Sequence, residues 1–141
     1  MATVGLNGAI NVVPLADDVW INMKDAAVVT FVLASASGDT FTCREARAGG
    51  TGSQVLACVT RYFKGSGVGG AWVEVAQAAS SSVTISGAAD NDACLITVQA
   101  TSLSDGYSMV KCVSTGSGTV CAVLHDTTVQ RKVSNYSALT G

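Results

Sequence analysis

The sequence predicts an all-β fold. Its form is a single β-sandwich of about eight to nine strands, jelly-roll-like or Ig-like, with an extended N-terminal arm and an irregular C-terminal tail. Three observations predict it. Ala 20, Val 20, Gly 15, Ser 15 and Thr 14 fill 84 of the 141 positions, while Leu numbers only 8 and Glu 2. That composition starves helices of strong formers and favours strands and turns. Short apolar or alternating runs are separated throughout by Gly-, Ser- and Asp-rich breaks. The length suits one domain, and a chain of this size buries about 68–70% of its unfolded surface, so a core can close without metal or disulfide.

Residues 1–17 read as an arm, because Gly5, Gly8 and the single proline, Pro14, break every apolar periodicity. The sandwich is expected over 18–130 and the tail over 131–141. Val19 to Met23 is strand-like. Ala27 to Ala34 is a near-continuous apolar run with β-branched residues, the pattern of a strand buried on both faces. Thr40 to Ala46 alternates, with Phe41 and Cys43 on one face and Thr42 and Arg44 on the other.

Residues 53–63 fit two patterns. Val55, Leu56, Val59 and Phe63 have helical spacing, with Ser53 as a possible N-cap and Gly65 past the end. The run Val59 to Phe63, followed by a glycine-rich stretch and then Ala71 to Val75, reads better as a hairpin. Val83 to Ser86 is a short strand, and Cys94 to Thr101 alternates. After the corner Leu103 to Tyr107 come strands from Tyr107 to Val113 and from Thr119 to Val129, with Thr115 to Gly118 as the turn. Tyr107, just past an Asp-Gly corner, has the position of the hydroxyl tie found in β-sandwiches.

The net charge of −2 and the eight scattered Lys and Arg residues exclude a nucleic-acid partner. No apolar run approaches the roughly 18 residues of a membrane span, and the first residues lack the pattern of a secretory signal. The high apolar content predicts surface covered by other subunits. Five cysteines, at 43, 58, 94, 112 and 121, lack the close pairs of a zinc site. They read as reduced, mostly buried thiols, with a Cys112–Cys121 bridge as the one alternative. No metal and no cofactor is expected.

Catalytic signals are weak. His125 beside Asp126 has no nucleophile motif to serve. Glu45 and Glu74 each alternate with apolar neighbours, so both read as solvent-facing strand positions rather than as an acid/base pair. Gly65 to Gly70 lacks the G-K-[ST] of a phosphate loop, and Asp90 and Asp92 lack the later carboxylates of a calcium loop. Trp20, Trp72 and Tyr62 could stack on sugars, but read better as core anchors or interface residues. No enzyme is expected.

The segment from Leu103 reads L-S-D-G-Y-S-M-V-K-C-V-S and later A-V-L-H-D-T-T-V-Q-R-K-V-S-N, ending at Asn135. It resembles a family of small proteins encoded beside the capsid genes of tailed phages infecting actinobacteria. Their pattern is L-x-D-G-[YF]-x-x-V-K, then a hairpin into V-L-H-D-L-T-V-Q-R-x-P-A-N-L. T-F-V-L-A-S-A-S-G-D-T-F-T, R-Y-F and W-V-E-V-A-Q-A-A suit it as well, so the similarity runs from about residue 28. Lys132-Val133-Ser134-Asn135 departs from it by lacking the proline.

The resemblance implies a capsid decoration, or minor capsid, protein. Such a protein is assembled in the host cytoplasm, sits on the outer capsid surface of the virion and binds the major capsid protein. A homo-oligomer is expected, a trimer ahead of a dimer. The six branched apolar residues of the arm, Val4, Leu6, Ile10, Val12, Val13 and Leu15, are the candidate subunit or capsid contacts. The alternatives are another phage subunit (a tail-tube or fibre module) or, further off, a secreted carbohydrate-binding module.

Overall fold

The computed structural model describes residues 11–24 and 26–127. Eleven strands form within them: β1 (Asn11–Val13), β2 (Ile21–Asn22), β3 (Ala26–Ala34), β4 (Asp39–Ala46), β5 (Gln54–Val55), β6 (Val59–Gly65), β7 (Val73–Ser80), β8 (Ser82–Ile85), β9 (Ala93–Gln99), β10 (Met109–Ser114) and β11 (Thr119–Thr127). The only helical pieces among these residues are two single 3₁₀ turns, Ala48–Gly50 and Ala100–Ser102. The strands make two antiparallel sheets packed face to face, a β-sandwich. One sheet runs β1-β11-β3-β9-β6-β7, the other β2-β10-β4-β5, and β8 pairs with β4 alongside β5.

Alternation decides which side chains meet between the sheets. From the six-stranded sheet come Val29, Phe31 and Leu33 of β3, Cys94, Ile96 and Val98 of β9, and Val120, Ala122 and Leu124 of β11. The other sheet supplies Ile21, Phe41, Cys43, Val83, Ile85, Val110 and Cys112. All are essentially solvent-free. Each large apolar side chain buried this way contributes about 1.5–3 kcal/mol before ordering costs.

Residues 53–63 are strand, not helix: β5, a short break and β6. The glycine-rich stretch is the β6–β7 hairpin connection. Helical spacing over one or two turns is a weak signal when β-branched residues can pair with a neighbour instead.

Four expectations change. First, residues 11–17, expected in the arm, belong to the sandwich. Asn11–Val13 pairs with β11 as the edge of the larger sheet. Ala16 is fully buried and its N–H donates to Val120 O at 2.8 Å, while Asp18 N–H donates to Cys112 O at 3.1 Å. Residues 16–18 thus tie the two sheets together. The folded unit begins by Asn11, not at residue 18. Pro14 and the breaks around it hide a three-residue edge strand that has no periodicity of its own to detect.

Second, β3 is buried on one face only, with Val28, Thr30, Val32 and Ala34 half-buried or exposed on the other. Third, the turn after β10 is not a hairpin turn. β10 belongs to the smaller sheet and β11 to the larger, so Thr115 to Gly118 carries the chain across the sandwich. Fourth, eleven strands replace eight to nine, because β1 and β5 have only three and two residues. The tail at 131–141 lies outside the described residues.

Candidate functional site

The outer face of the six-stranded sheet is the feature the sequence did not show. Register places Cys121, Val32, Leu95 and Phe63 side by side on β11, β3, β9 and β6. Strands lie about 4.8 Å apart, so this apolar row spans roughly 14 Å. Val32 is 37% and Phe63 36% exposed, large values for branched and aromatic side chains in mid-strand. A second row carries Val12, Val123, Thr30 and Thr97. Thr30 Oγ1 lies 3.1 Å from Thr97 Oγ1 and 2.9 Å from His125 Nε2. Across the described parts of β1, β11, β3 and β9 this face carries no carboxylate, ammonium or guanidinium. Charge returns only at its far rim, where Arg61 and Glu74 form a 3.9 Å ion pair.

A cleft opens beside Phe63. β6 and β9 pair only at Phe63–Gly65 with Ala93–Leu95, then part. The gap of about 280 Å³ is lined by Cys58, Arg61, Tyr62, Thr97 and Gln99 among others. Gln77 Nε2, at the bulge of β7, donates to Val59 O at 3.1 Å. The lining brings one guanidinium and no carboxylate or imidazole.

The expected contact residues divide. Val4, Leu6 and Ile10 lie outside the described residues. Val12 stands on the outer face opposite Val123, whereas Val13 packs against the core. Leu15 is 87% exposed, above a hollow of about 190 Å³ that it lines with Asp17, Gly118, Thr119 and Val120.

The titratable groups are structural. Glu45 overturns its sequence expectation, for it is 1% exposed. Its carboxylate accepts from Ser104 N at 2.8 Å, Ser104 Oγ at 2.5 Å and Gln54 Nε2 at 2.6 Å. It therefore pins the corner before β10 to β4. Alternation from Phe41 and Cys43 puts Glu45 on the inward face. What the local pattern lacks is the donors that satisfy a buried carboxylate, Gln54 on the paired strand β5 and Ser104 at the corner before β10. Glu74 is exposed, as expected, and sits on the other sheet.

Asp39 is 8% exposed and gathers the crossing turn. It accepts from Thr40 N at 2.7 Å, Thr115 N at 3.1 Å, Thr115 Oγ1 at 2.8 Å, Gly118 N at 2.8 Å, and the Ser114 hydroxyl. Burial alone would raise its pKa. The hydrogen bonds from Ser114, Thr115, Gly118 and Thr40 outweigh that and hold it at about 2, below the ordinary 3.8. Burial opposes ionisation of Glu45 too, and the bonds from Ser104 and Gln54 bring it below its ordinary 4.5.

Both carboxylates thus favour the folded state when ionised. Their contribution is fully present above the unfolded pKa values and is lost as pH falls through the folded ones. The melting temperature should be flat from neutrality to about pH 5 and fall as pH drops from about 4 towards 2. Melts followed by circular dichroism across that range test this. Asp39→Asn should lower the plateau and flatten the acid fall; an unchanged slope would remove Asp39 from this role.

The remaining candidates carry no convergent chemistry. The Asp126 side chain lies outside the described residues. Cys43, Cys94 and Cys112 are buried, Cys58 and Cys121 half-buried, and all five are free thiols. Cys112 faces inward on β10 and Cys121 outward on the other sheet, so the two are not cross-strand neighbours. Contact with Cys112 and burial raise the Cys43 pKa, contact with Cys43 and burial raise that of Cys58, and burial pushes Cys94 up to about 12. Neutral thiols are poor nucleophiles.

Among the described residues no group of three His, Cys, Asp or Glu side chains is disposed to hold a metal ion. Asp92 Oδ1 accepts from Gly67 N at 2.7 Å, as a turn residue. Trp20 lies under Lys111 beside the smaller sheet, 4.6 Å from ammonium to ring centroid, and so apart from Tyr62 and Trp72. The Tyr107 ring meets the Arg47 guanidinium at 5.4 Å instead of making the expected corner tie.

Comparisons with protein-family models, with curated proteins and with solved structures find no match to the chain.

Proposed function

We propose that the protein is a structural subunit of a tailed-phage virion that decorates the mature capsid by binding the major capsid protein on the outer shell surface. The observation that carries this reading is the outer face of the larger sheet, uncharged over the described parts of β1, β11, β3 and β9. In its Cys121–Val32–Leu95–Phe63 row, Val32 and Phe63 are exposed. A face of that kind suits a large, fairly flat protein surface better than a small ligand. The family resemblance of residues 103–135 supports the choice of partner.

The work of such a subunit is mechanical. A protein that binds the expanded shell and not its precursor stabilises the expanded form by mass action. The N-terminal residues Val4, Leu6 and Ile10 add apolar contacts to the same partner.

The test is binding to purified shells. Val32→Glu combined with Leu95→Glu changes two outward-facing side chains, so the variant should fold with an unchanged circular dichroism spectrum. Its affinity for expanded capsids should fall by at least about 100-fold, because two carboxylates would be desolvated without partners. The wild-type protein should also co-purify with virions at high copy number. Equal binding by the variant, or recovery of the wild type only in tail fractions or only on polysaccharide, would overturn the reading.

A further inference from the structure

Four of the five cysteines converge on the core from different parts of the chain. Cys43 of β4 and Cys112 of β10 stand directly opposite each other in an antiparallel pair, and both are fully buried. Cys58 follows β5 and is half-buried, while Cys94 of β9 comes near Cys43 from the larger sheet. Cys121 lies on the outer face of β11, apart from the rest.

Backbone hydrogen bonds fix the kind of pair that Cys43 and Cys112 make. Cys43 N–H donates to Ser81 O at 2.7 Å, and Cys43 O accepts from Leu56 N at 3.0 Å, so both groups turn towards β8 and β5. Cys112 O accepts from Asp18 N at 3.1 Å, on the flank of β10 away from β4. Neither residue spends a backbone bond on the other. In such a non-hydrogen-bonded pair the Cα atoms lie about 4.5 Å apart and the side chains are close. A disulfide takes a Cα separation of roughly 4.4–6.8 Å, so no strand has to move.

We infer that Cys43 and Cys112 are an oxidisable pair that closes into a cross-strand disulfide, with Cys58 as the thiol through which the oxidant enters. Cys58 has the position for that part. It lines the cleft of about 280 Å³ between β6 and β9, and its thiol touches that of Cys43. Cys112 and Cys58 approach Cys43 from opposite flanks of β4, one from β10 and the other from the chain just past β5. Thiol–disulfide exchange passes through such a row, with the attacking and leaving sulfurs on opposite sides of the central one.

The chemistry balances with a small disulfide such as oxidised glutathione. The ionised Cys58 thiol attacks one oxidant sulfur and expels one glutathione thiolate, leaving a mixed disulfide. Cys43 attacks Cys58 Sγ, expels the second glutathione and gives Cys43–Cys58. Cys112 then attacks Cys43 Sγ, and Cys58 leaves as a thiolate that regains a proton. Two cysteine thiols are oxidised, one glutathione disulfide is reduced, and the protons of Cys43 and Cys112 end on glutathione. Contact with Cys112 raises the Cys43 pKa, and contact with Cys43 raises that of Cys58. Each exchange therefore draws on a small thiolate fraction, and the bridge forms over minutes to hours. It ties β4 to β10 across the long loop between them, which restricts the unfolded chain. The inference stands apart from the capsid reading, because it concerns only this chain's own thiols.

Oxidation of the purified, reduced full chain tests it. The protein is incubated with oxidised glutathione at about pH 8.5, near the ordinary thiol pKa, then quenched with acid and mapped as non-reduced peptides. Early samples should hold Cys58 linked first to glutathione and then to Cys43. Late samples should hold Cys43–Cys112, with the circular dichroism spectrum still native. Cys58→Ser should keep that spectrum and slow the bridge at least about tenfold, while Cys112→Ser should stop at Cys43–Cys58. A native chain whose Cys43 and Cys112 stay free after about a day, or whose final bridge joins other cysteines, would overturn the inference. So would early samples without a Cys58 adduct, or a Cys58→Ser protein that bridges as fast as the wild type.

Discussion

Asp39→Ala is expected to lower the melting temperature by about 10–15 °C, corresponding to roughly 3–5 kcal/mol for a domain of this length. The reason is the number of donors that one carboxylate serves. Thr40 N, Thr115 N and Gly118 N all point at it, as do the hydroxyls of Ser114 and Thr115. Alanine leaves those donors without their acceptor in a turn that carries the chain between the sheets. Charge-assisted bonds of this kind contribute more than neutral ones, and orphaned buried donors cost about 1–3 kcal/mol each where water cannot reach them.

The site tolerates nothing larger than glycine at its closest approach. A Cβ on Gly118 would lie 2.5 Å from Asp39 Oδ2 and 2.7 Å from the buried Phe41 ring. Thermal melts at neutral pH measure the effect. A fall of less than about 3 °C would mean that the turn holds without its carboxylate.

Deleting residues 2–15 should leave a chain that folds but is less stable by about 3–5 kcal/mol. The deletion removes β1 with its three register pairs to β11, the 7%-exposed Asn11, and Val13 from the core margin. It also bares the β11 edge. Ala16, whose N–H binds Val120 O, remains. Deleting residues 2–10 spares all of this and should keep the melting temperature within a few degrees, while weakening capsid binding through loss of Val4, Leu6 and Ile10. Urea titrations of both truncations separate the two effects. A 2–15 truncation as stable as the full chain would show that β1 adds nothing to the sandwich.

These two regions also mark the limits of what local pattern can reveal. The alternation of Thr40 to Ala46 set Phe41 and Cys43 on one face, and the fold turns that face inward. Carried two residues further, the same alternation puts Glu45 on that inward face. Only the donors Gln54 and Ser104, which no local pattern shows, make a carboxylate tolerable there. Alternation missed β1 because three residues beside a proline have no period to detect. The apolar row across β11, β3, β9 and β6 was legible one residue at a time, but not as a row, since register between strands far apart in sequence is not written in any one of them.

Composition and alternation by themselves determined that this chain is an all-β sandwich, where most of its strands and turns fall, and which residues of β4 share a face. Those properties depend on neighbours along the chain: β-branched residues favour extended backbone, glycine permits the turns, and a period of two sorts side chains to opposite faces. Only the tertiary structure decided that β10 and β11 belong to different sheets, that Glu45 and Asp39 are buried hydrogen-bond hubs, that residues 11–17 belong to the fold, and that the outer face of β3 is left bare. Each of those depends on which distant strand or loop comes to lie alongside, and the free energy that settles it comes from contacts between segments that are not neighbours in sequence.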